Sequence, residues 1–254
     1  ETFAKPIPDT LLTDRLGVTP EDYDRLAAWA RAMLVASEPF ASETQLDEGR
    51  DGRSQLAAFL AAFPPAAAAD EGAGVIALAR QAEEAGEVNA DEVLAVIVDV
   101  ALGDGLTAMI GSSLLTLSQH PEALKRLHED PSLIPSGVEE LARFDPPPHV
   151  LIRVVTEETT LGDQQLKPGA MLFLMVGAAN RDPAQFEDPD RFDIFRENQR
   201  HLSFSAGEHF CVGAPFSRTV LIEVLTAFLA RFGHIEVAAG GVQRPEVFLA
   251  RGFD

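Results

Sequence analysis

The sequence predicts a mainly α-helical protein with a small β region placed late in the chain, and three observations carry that reading. Ala, Leu and Val dominate in helical patterns that open on capping residues. The pattern turns to short β-like runs only after Pro146-Pro147-Pro148. A helical pattern then returns from about Pro215 to Phe232.

The elements follow in order. Residues 4–18 read as an opening helix. Thr19-Pro20-Glu21-Asp22 starts the next, with Thr as N-cap, Pro at the first helical position and acids in the first turn. It runs through Trp29 towards Val35. Residues 38–53 are polar and carry glycine, which predicts a loop; 55–63 is a short helix, 64–74 an Ala-rich connection, and 75–85 helical again. Asn89-Ala90-Asp91-Glu92 resembles a capping box. The apolar pattern behind it continues to about Ser118, which predicts a central helix over 90–118, roughly 40 Å long at 1.5 Å per residue. Gly103 and Gly105 lie in its middle, each costing about 1 kcal/mol relative to Ala. They call for a kink or for the close approach of something flat and bulky. Residues 121–128 and 137–144 are further helices. Residues 150–155 and 170–176 are β-like, with turns at 161–163 and 167–169, and 235–237 with 247–251 predict a terminal hairpin. No internal repeat is visible. The 254 residues read as a single domain, with 1–145 mainly helical and 146–254 holding the β region, a cysteine loop and the final helix.

Composition excludes several function classes. The chain is 46% hydrophobic and 24% charged, enough for a substantial core. Its formal net charge of −20 argues against nucleic acid, whose phosphates demand clustered Lys and Arg, and reads as a solubilising acidic surface. The apolar stretches 94–98 and 171–179 are too short or too interrupted to span a bilayer, and the first residues lack a signal-peptide pattern, so the expectation is a cytoplasmic protein without membrane contact. A single cysteine, Cys211, allows no intrachain disulfide.

Residues 201–218 carry the chemistry. Gly207 permits a tight turn with positive φ. Cys211 lies just before a long helix, whose N-terminus has unpaired N–H groups and partial positive charge. Both stabilise a thiolate. Gly213 allows close approach of the backbone, and Pro215 suits a first helical turn. A thiolate held on a rigid loop by backbone N–H groups is how a protein ligates haem iron through sulfur.

The spacing Phe204-x-x-Gly207-x-His209-x-Cys211-x-Gly213 resembles the haem-binding loop of the cytochromes P450, with all five defining positions matched. The resemblance implies haem b with Cys211 as axial thiolate and iron ligand, and His209 and His201 on the haem propionates. Glu140-Leu141-Ala142-Arg143 resembles the family's Glu-x-x-Arg helix, and Arg191 its arginine partner, an Arg–Glu–Arg set that one carboxylate can satisfy. Arg153 matches the strand arginine that meets a propionate, and residues 179–183 match the turn that precedes the Arg191 segment.

The likeness covers essentially the whole chain but not the whole family fold. Residues 4–18 correspond to a helix midway through the family's N-terminal half, so the expected fold is P450-like without its N-terminal third. The apolar surface that this third would cover predicts a homodimer. The central helix also departs from the family, which usually sets an acid followed directly by Thr over the haem to deliver protons. Aligning on Thr107, Ala108 and Gly111 places Gly105 and Leu106 there, and neither moves a proton. Asp104 and Thr107 flank the gap on one helical face and are the candidates for a displaced catalytic relay.

Three functions follow from the resemblance. The first is a haem-thiolate oxidoreductase, with monooxygenase chemistry on a small organic molecule of bacterial natural-product biosynthesis and a redox partner to supply electrons. The second is a haem-thiolate enzyme without oxygen activation, using peroxide or acting as a lyase, cyclase or isomerase. The third is a non-catalytic domain that recruits a partner or carrier protein. Gly105, Leu106 and the acidic surface count against the first, and the retained Cys211, His201, Arg153 and the Glu140–Arg143–Arg191 set count against the third.

Overall fold

The computed structural model describes residues 3–67, 72–238 and 241–242. The chain divides into two compact units, Glu1–Thr107 and Ala108–Asp254.

In the first unit, α1 (Pro6–Leu16) opens on proline and closes on Gly17, whose φ of +75° lets its N–H reach the carbonyls of Thr13 and Asp14. Thr19 caps α2 (Pro20–Ala36) through the Asp22 N–H. The polar run expected as loop is instead the body of α3 (Glu43–Ala62), a 20-residue helix with a capping box between Ser42 and Gln45. Its glycines are packing positions rather than breaks. A Cβ on Gly49 would lie 2.2 Å from the Ala36 Cβ, and one on Gly52 would lie 2.9 Å from the Trp29 carbonyl oxygen. They let α3 lie close against α2, and the Trp29 and Phe59 rings meet farther along, 6.1 Å apart. A short α4 (Val75–Glu84) follows.

Asn89 caps α5 (Ala90–Ala101) with the reciprocal Glu92 bond that the sequence predicts. The expected continuous central helix is broken. α5 ends at Ala101, Leu102 takes ψ 75°, the Gly103 N–H turns back to the Ala101 carbonyl, and α6 (Asp104–Gln119) begins. The Tyr23 hydroxyl lies against the break, 3.5 Å from the Ala101 carbonyl and 3.4 Å from Asp9. A Cβ on Gly103 would meet it at 2.8 Å, so this glycine answers to a close approach; Gly105 has open space around it. Burial pushes the Tyr23 phenol above its ordinary range, with the Asp9 charge and hydrogen bond adding to the effect. The stretch Ala90–Gln119 also holds an 18-residue window of mean hydropathy 2.0, which meets the length and composition of a membrane span that the expectation from 94–98 and 171–179 did not find, although the window runs across the break. Half of that window is buried inside the protein, as in a core helix.

The second unit holds α7 (Pro121–Glu129) and α8 (Ile134–Phe144), which packs against the final helix α10 (Ala214–Leu229); Val138 and Leu141 of α8 and Leu221 and Leu225 of α10 are buried. The β region is two antiparallel pairs. β1 (Val150–Val154) runs against β4 (Met171–Met175), with Arg153 opposite Leu172. β2 (Thr159–Leu161) and β3 (Gln164–Leu166) form a hairpin that turns on Gly162, at φ +59°. After the single turn α9 (Val176–Ala179) the chain crosses a long irregular stretch to α10. Residues 235–237 are irregular, and 247–251 of the expected hairpin lie outside the described residues.

Candidate active site

α8 lays the foundation. Glu140 and Arg143 share one face of it, one turn apart, and each is 1% exposed. Two parallel bonds join them, Nε to Oε2 at 2.7 Å and Nη2 to Oε1 at 2.8 Å. Arg143 also donates to the carbonyls of Asn180, Pro189 and Arg191, so a buried guanidinium spends its donors on the irregular stretch. The second arginine on Glu140 is Arg196, not the expected Arg191. Arg196 Nε lies 3.3 and 3.2 Å from the two carboxylate oxygens, whereas the Arg191 side chain is 69% exposed and 3.6 Å from Asp193. The reason is the turn at 188–191, where Asp188 adopts φ +44° and the Arg191 N–H returns to its carbonyl. That turn points the Arg191 carbonyl inward, where Arg143 and Arg196 both bond it at 3.2 and 3.0 Å.

The cysteine loop stands above this foundation. Phe204 is buried, and its carbonyl accepts the Cys211 N–H at 2.9 Å. Between them Ser205 (φ +60°) and Gly207 (φ +67°) take left-handed conformations, and Gly207–His209 form one 3-10 turn. Ser205 is a costly residue for that geometry and Gly207 a free one. The Cys211 carbonyl accepts the Ala214 N–H at 3.1 Å at the head of α10. Cys211 is half-buried, and a Cβ on Gly213 would stand 3.7 Å from its Sγ. Gly213 has an ordinary φ of −78°, so its want of a side chain bears on the space beside the sulfur.

The remaining candidates separate. His209 is exposed at the end of the 3-10 turn. Arg153, on β1, is half-buried, donates to the Ile152 carbonyl, and has no carboxylate partner among the described residues. His201 leaves the propionate set: its side chain is 1% exposed, Nε2 lies 3.1 Å from Glu139 Oε2, and Nδ1 accepts the Ser203 N–H at 3.3 Å. Both nitrogens are engaged inside the protein, in the tautomer that carries its proton on Nε2. Asp104, expected in a relay, is held by Arg31 in two bonds of 2.8 and 2.5 Å. Thr107 lies half-buried one turn on, Gly105 is exposed and Leu106 is buried.

A further group was not singled out in the sequence. Glu139 takes Arg218 Nε and Nη2 at 2.6 and 2.9 Å as well as His201, and Arg218 Cζ lies 4.4 Å from the Phe204 ring centroid. Burial raises the Glu139 pKa, but the hydrogen bonds from His201 and Arg218 outweigh it and bring the group down to about 2. Nothing in the spacing flags it; only the adjacency of Glu139 to Glu140 hints at it.

The family model described as Cytochrome P450 matches residues 73–246. The chain belongs to the cytochrome P450 family. It is 31% identical over 263 residues to the 6-deoxyerythronolide B hydroxylase of Saccharopolyspora erythraea, covering 100% of this chain and 63% of that one. It is 30% identical to the biotin biosynthesis cytochrome P450 of Bacillus subtilis, over 93% of this chain and 60% of the relative. Among solved structures, P450BioI in complex with an acyl carrier protein ligated to hexadec-9Z-enoic acid superposes with a TM-score of 0.86 at 27% identity, over 99% of this chain and 65% of that one. CxnD, a cytochrome P450 for C–S bond formation in chuangxinmycin biosynthesis, gives 0.86 at 27% identity, over 100% and 63%. The chain thus spans about three fifths of the curated P450 relatives it matches.

The family implies a haem, and the P450 loop of this chain has the donor set for one. A half-buried thiol precedes a helix N-terminus, a guanidinium without a carboxylate partner among the described residues lies on β1, and an exposed imidazole lies next to the cysteine turn. A haem held here would take the thiol as its iron ligand and the two cationic groups as donors to its propionates.

Proposed function

We propose that this P450 is a haem-thiolate oxidoreductase that acts on a small organic molecule in bacterial specialised metabolism. The observation that carries the reading is the Cys211 loop: the Cys211 amide is tied to the Phe204 carbonyl, and the sulfur is presented, half-buried, ahead of α10. A haem bound through thiolate supplies electron density that favours O–O cleavage. The residues of the chain hold and orient it. Cys211 is the ligand, Arg153 and His209 donate to the propionates, and Glu140, Arg143 and Arg196 lock the layer beneath the loop. Two of the relatives named above act in biotin biosynthesis and in C–S bond formation in chuangxinmycin biosynthesis, which supports a biosynthetic role. The carrier-bound acyl chain of P450BioI makes a carrier-presented substrate one concrete form of it.

A second reading, chemistry without oxygen activation, is favoured by Gly105 and Leu106 and by Asp104, which Arg31 already engages. Reduced, CO-treated protein is expected to absorb at about 450 nm as a thiolate-ligated haem does. Cys211→Ser should abolish that band while helical content is kept. A variant that retained the band would end the assignment.

A further inference from the structure

The charged group that the proposed function leaves unused is Glu139, Arg218 and His201, of which His201 is buried and Glu139 and Arg218 are partly so. It joins α8, α10 and the segment that enters the cysteine loop. Its contacts run in one direction. Glu139 fixes Arg218 with two bonds, Arg218 Cζ lies over the Phe204 ring at 4.4 Å, and His201 meets the same ring at a centroid distance of 5.8 Å. The Phe204 carbonyl in turn accepts the Cys211 N–H. Charge follows the same route. Arg218 is held above the ordinary arginine value, first by its bonds to Glu139, and a Cys211 thiolate further favours its charged form.

A plain core-locking role does not account for where the arginine stands. Arg218 is in the second turn of α10, close to a helix N-terminus whose partial positive charge disfavours a cation. The Glu139 carboxylate offsets that cost, and so would a thiolate. With the Arg218 side chain 31% exposed, the ion pair adds little as a plain lock.

The geometry points to Glu139, Arg218 and His201 as positioning residues for Cys211. Arg218 and His201 clamp the Phe204 unit from which the Cys211 amide hangs. The Glu139–Arg218 pair places a partly neutralised positive charge against the Phe204 ring, whose carbonyl holds the Cys211 amide. The electrochemical half of this inference rests on the haem-thiolate reading, and the mechanical half does not.

Two measurements on the whole chain separate them: amide hydrogen exchange at Cys211, and the midpoint reduction potential of the haem-loaded protein. Glu139→Gln leaves the Arg218 charge uncompensated and is expected to raise the potential. Arg218→Gln removes that charge and is expected to lower it. Each shift should be about tenfold in the ferrous-to-ferric ratio, which is about 59 mV for a one-electron couple. Arg218→Gln should also speed Cys211 exchange by about tenfold, and Arg218→Lys should keep the potential near that of the wild type. Shifts of the same sign in Glu139→Gln and Arg218→Gln, or unchanged Cys211 exchange in Arg218→Gln, would overturn the inference. If Arg218→Gln does not fold, Glu139→Gln and Arg218→Lys decide it by the same two readings. A wild type without the thiolate band fails the proposed function instead, and Cys211 exchange then decides the clamp alone.

Discussion

Glu140 is the residue on which most of the second unit's buried charge converges. Its carboxylate takes Arg143, Arg196 and the Asp193 N–H at once. Glu140→Ala leaves two guanidiniums without their counter-charge, and the expected cost is about 3–5 kcal/mol, read as a lower urea midpoint. Arg196, 9% exposed, should be costly to truncate, whereas Arg191→Ala should stay within about 0.5 kcal/mol of the wild type. Equal losses for the two arginines would contradict this assignment. The neighbouring Glu139 adds a pH signature. Its carboxyl lies at about 2 when folded, against an ordinary 4.5. A lowered folded pKa gives stability that is present above 4.5 and lost as pH falls towards 2. Unfolding followed across that window should show the loss in the wild type and a flatter profile in Glu139→Gln. At this scale the sequence was legible where partners share a helix. Glu140 and Arg143 are one turn apart and needed only periodicity. Arg196 and Glu139 reach their partners across irregular backbone, and no period says which of two arginines such a segment turns inward. His201 was misassigned for the same reason: its distance to Glu139 is a fact of tertiary packing.

Helix packing gives the sharper contrast between glycines. Gly49 and Gly52 were read as loop signals because glycine is a poor helix former. They are where α3 presses on α2. Gly49→Val puts branched atoms into space already held by Ala36 and should destabilise by about 1–3 kcal/mol. Gly105 is helical, has open space around it and has no positive φ. Gly105→Ala should therefore stabilise by up to about 1 kcal/mol. Thermal melts of the two variants moving in the same direction would contradict the distinction. The element order was otherwise readable from caps and period, as at Thr19, Asn89 and the proline run before β1. The break at Leu102 was hinted at by Gly103 and Gly105, but its neighbour Tyr23, which lies on another helix, was not readable from the local pattern.

For the molecule as a whole, the prediction concerns the oxidant. Asp104, the acid nearest the gap at Gly105 and Leu106, is already committed to Arg31. Peroxide is expected to support turnover better than dioxygen with a reductase. Consumption of NAD(P)H tightly coupled to product in the wild type would refute this. Arg153→Ala, alone or with His209→Ala, is expected to lower haem occupancy, measured as the ratio of Soret to protein absorbance. Full occupancy in the double variant would remove both from the binding set.

The stitching of the irregular stretch bears on the order in which the site is made. Arg143 bonds the carbonyls of Asn180, Pro189 and Arg191, and Asn180 in turn bonds Ser203 and the Leu202 N–H. None of these ties is local, so each must wait for a long loop to close, and the entropy of closure is lost before the bond repays it. The local helices can form first, and the turn that carries Cys211 is then set last, onto a surface already built. If the haem binds as proposed, a nascent chain would meet it late, and a fault in α8 would show itself as a protein that folds most of its helices yet never takes up haem.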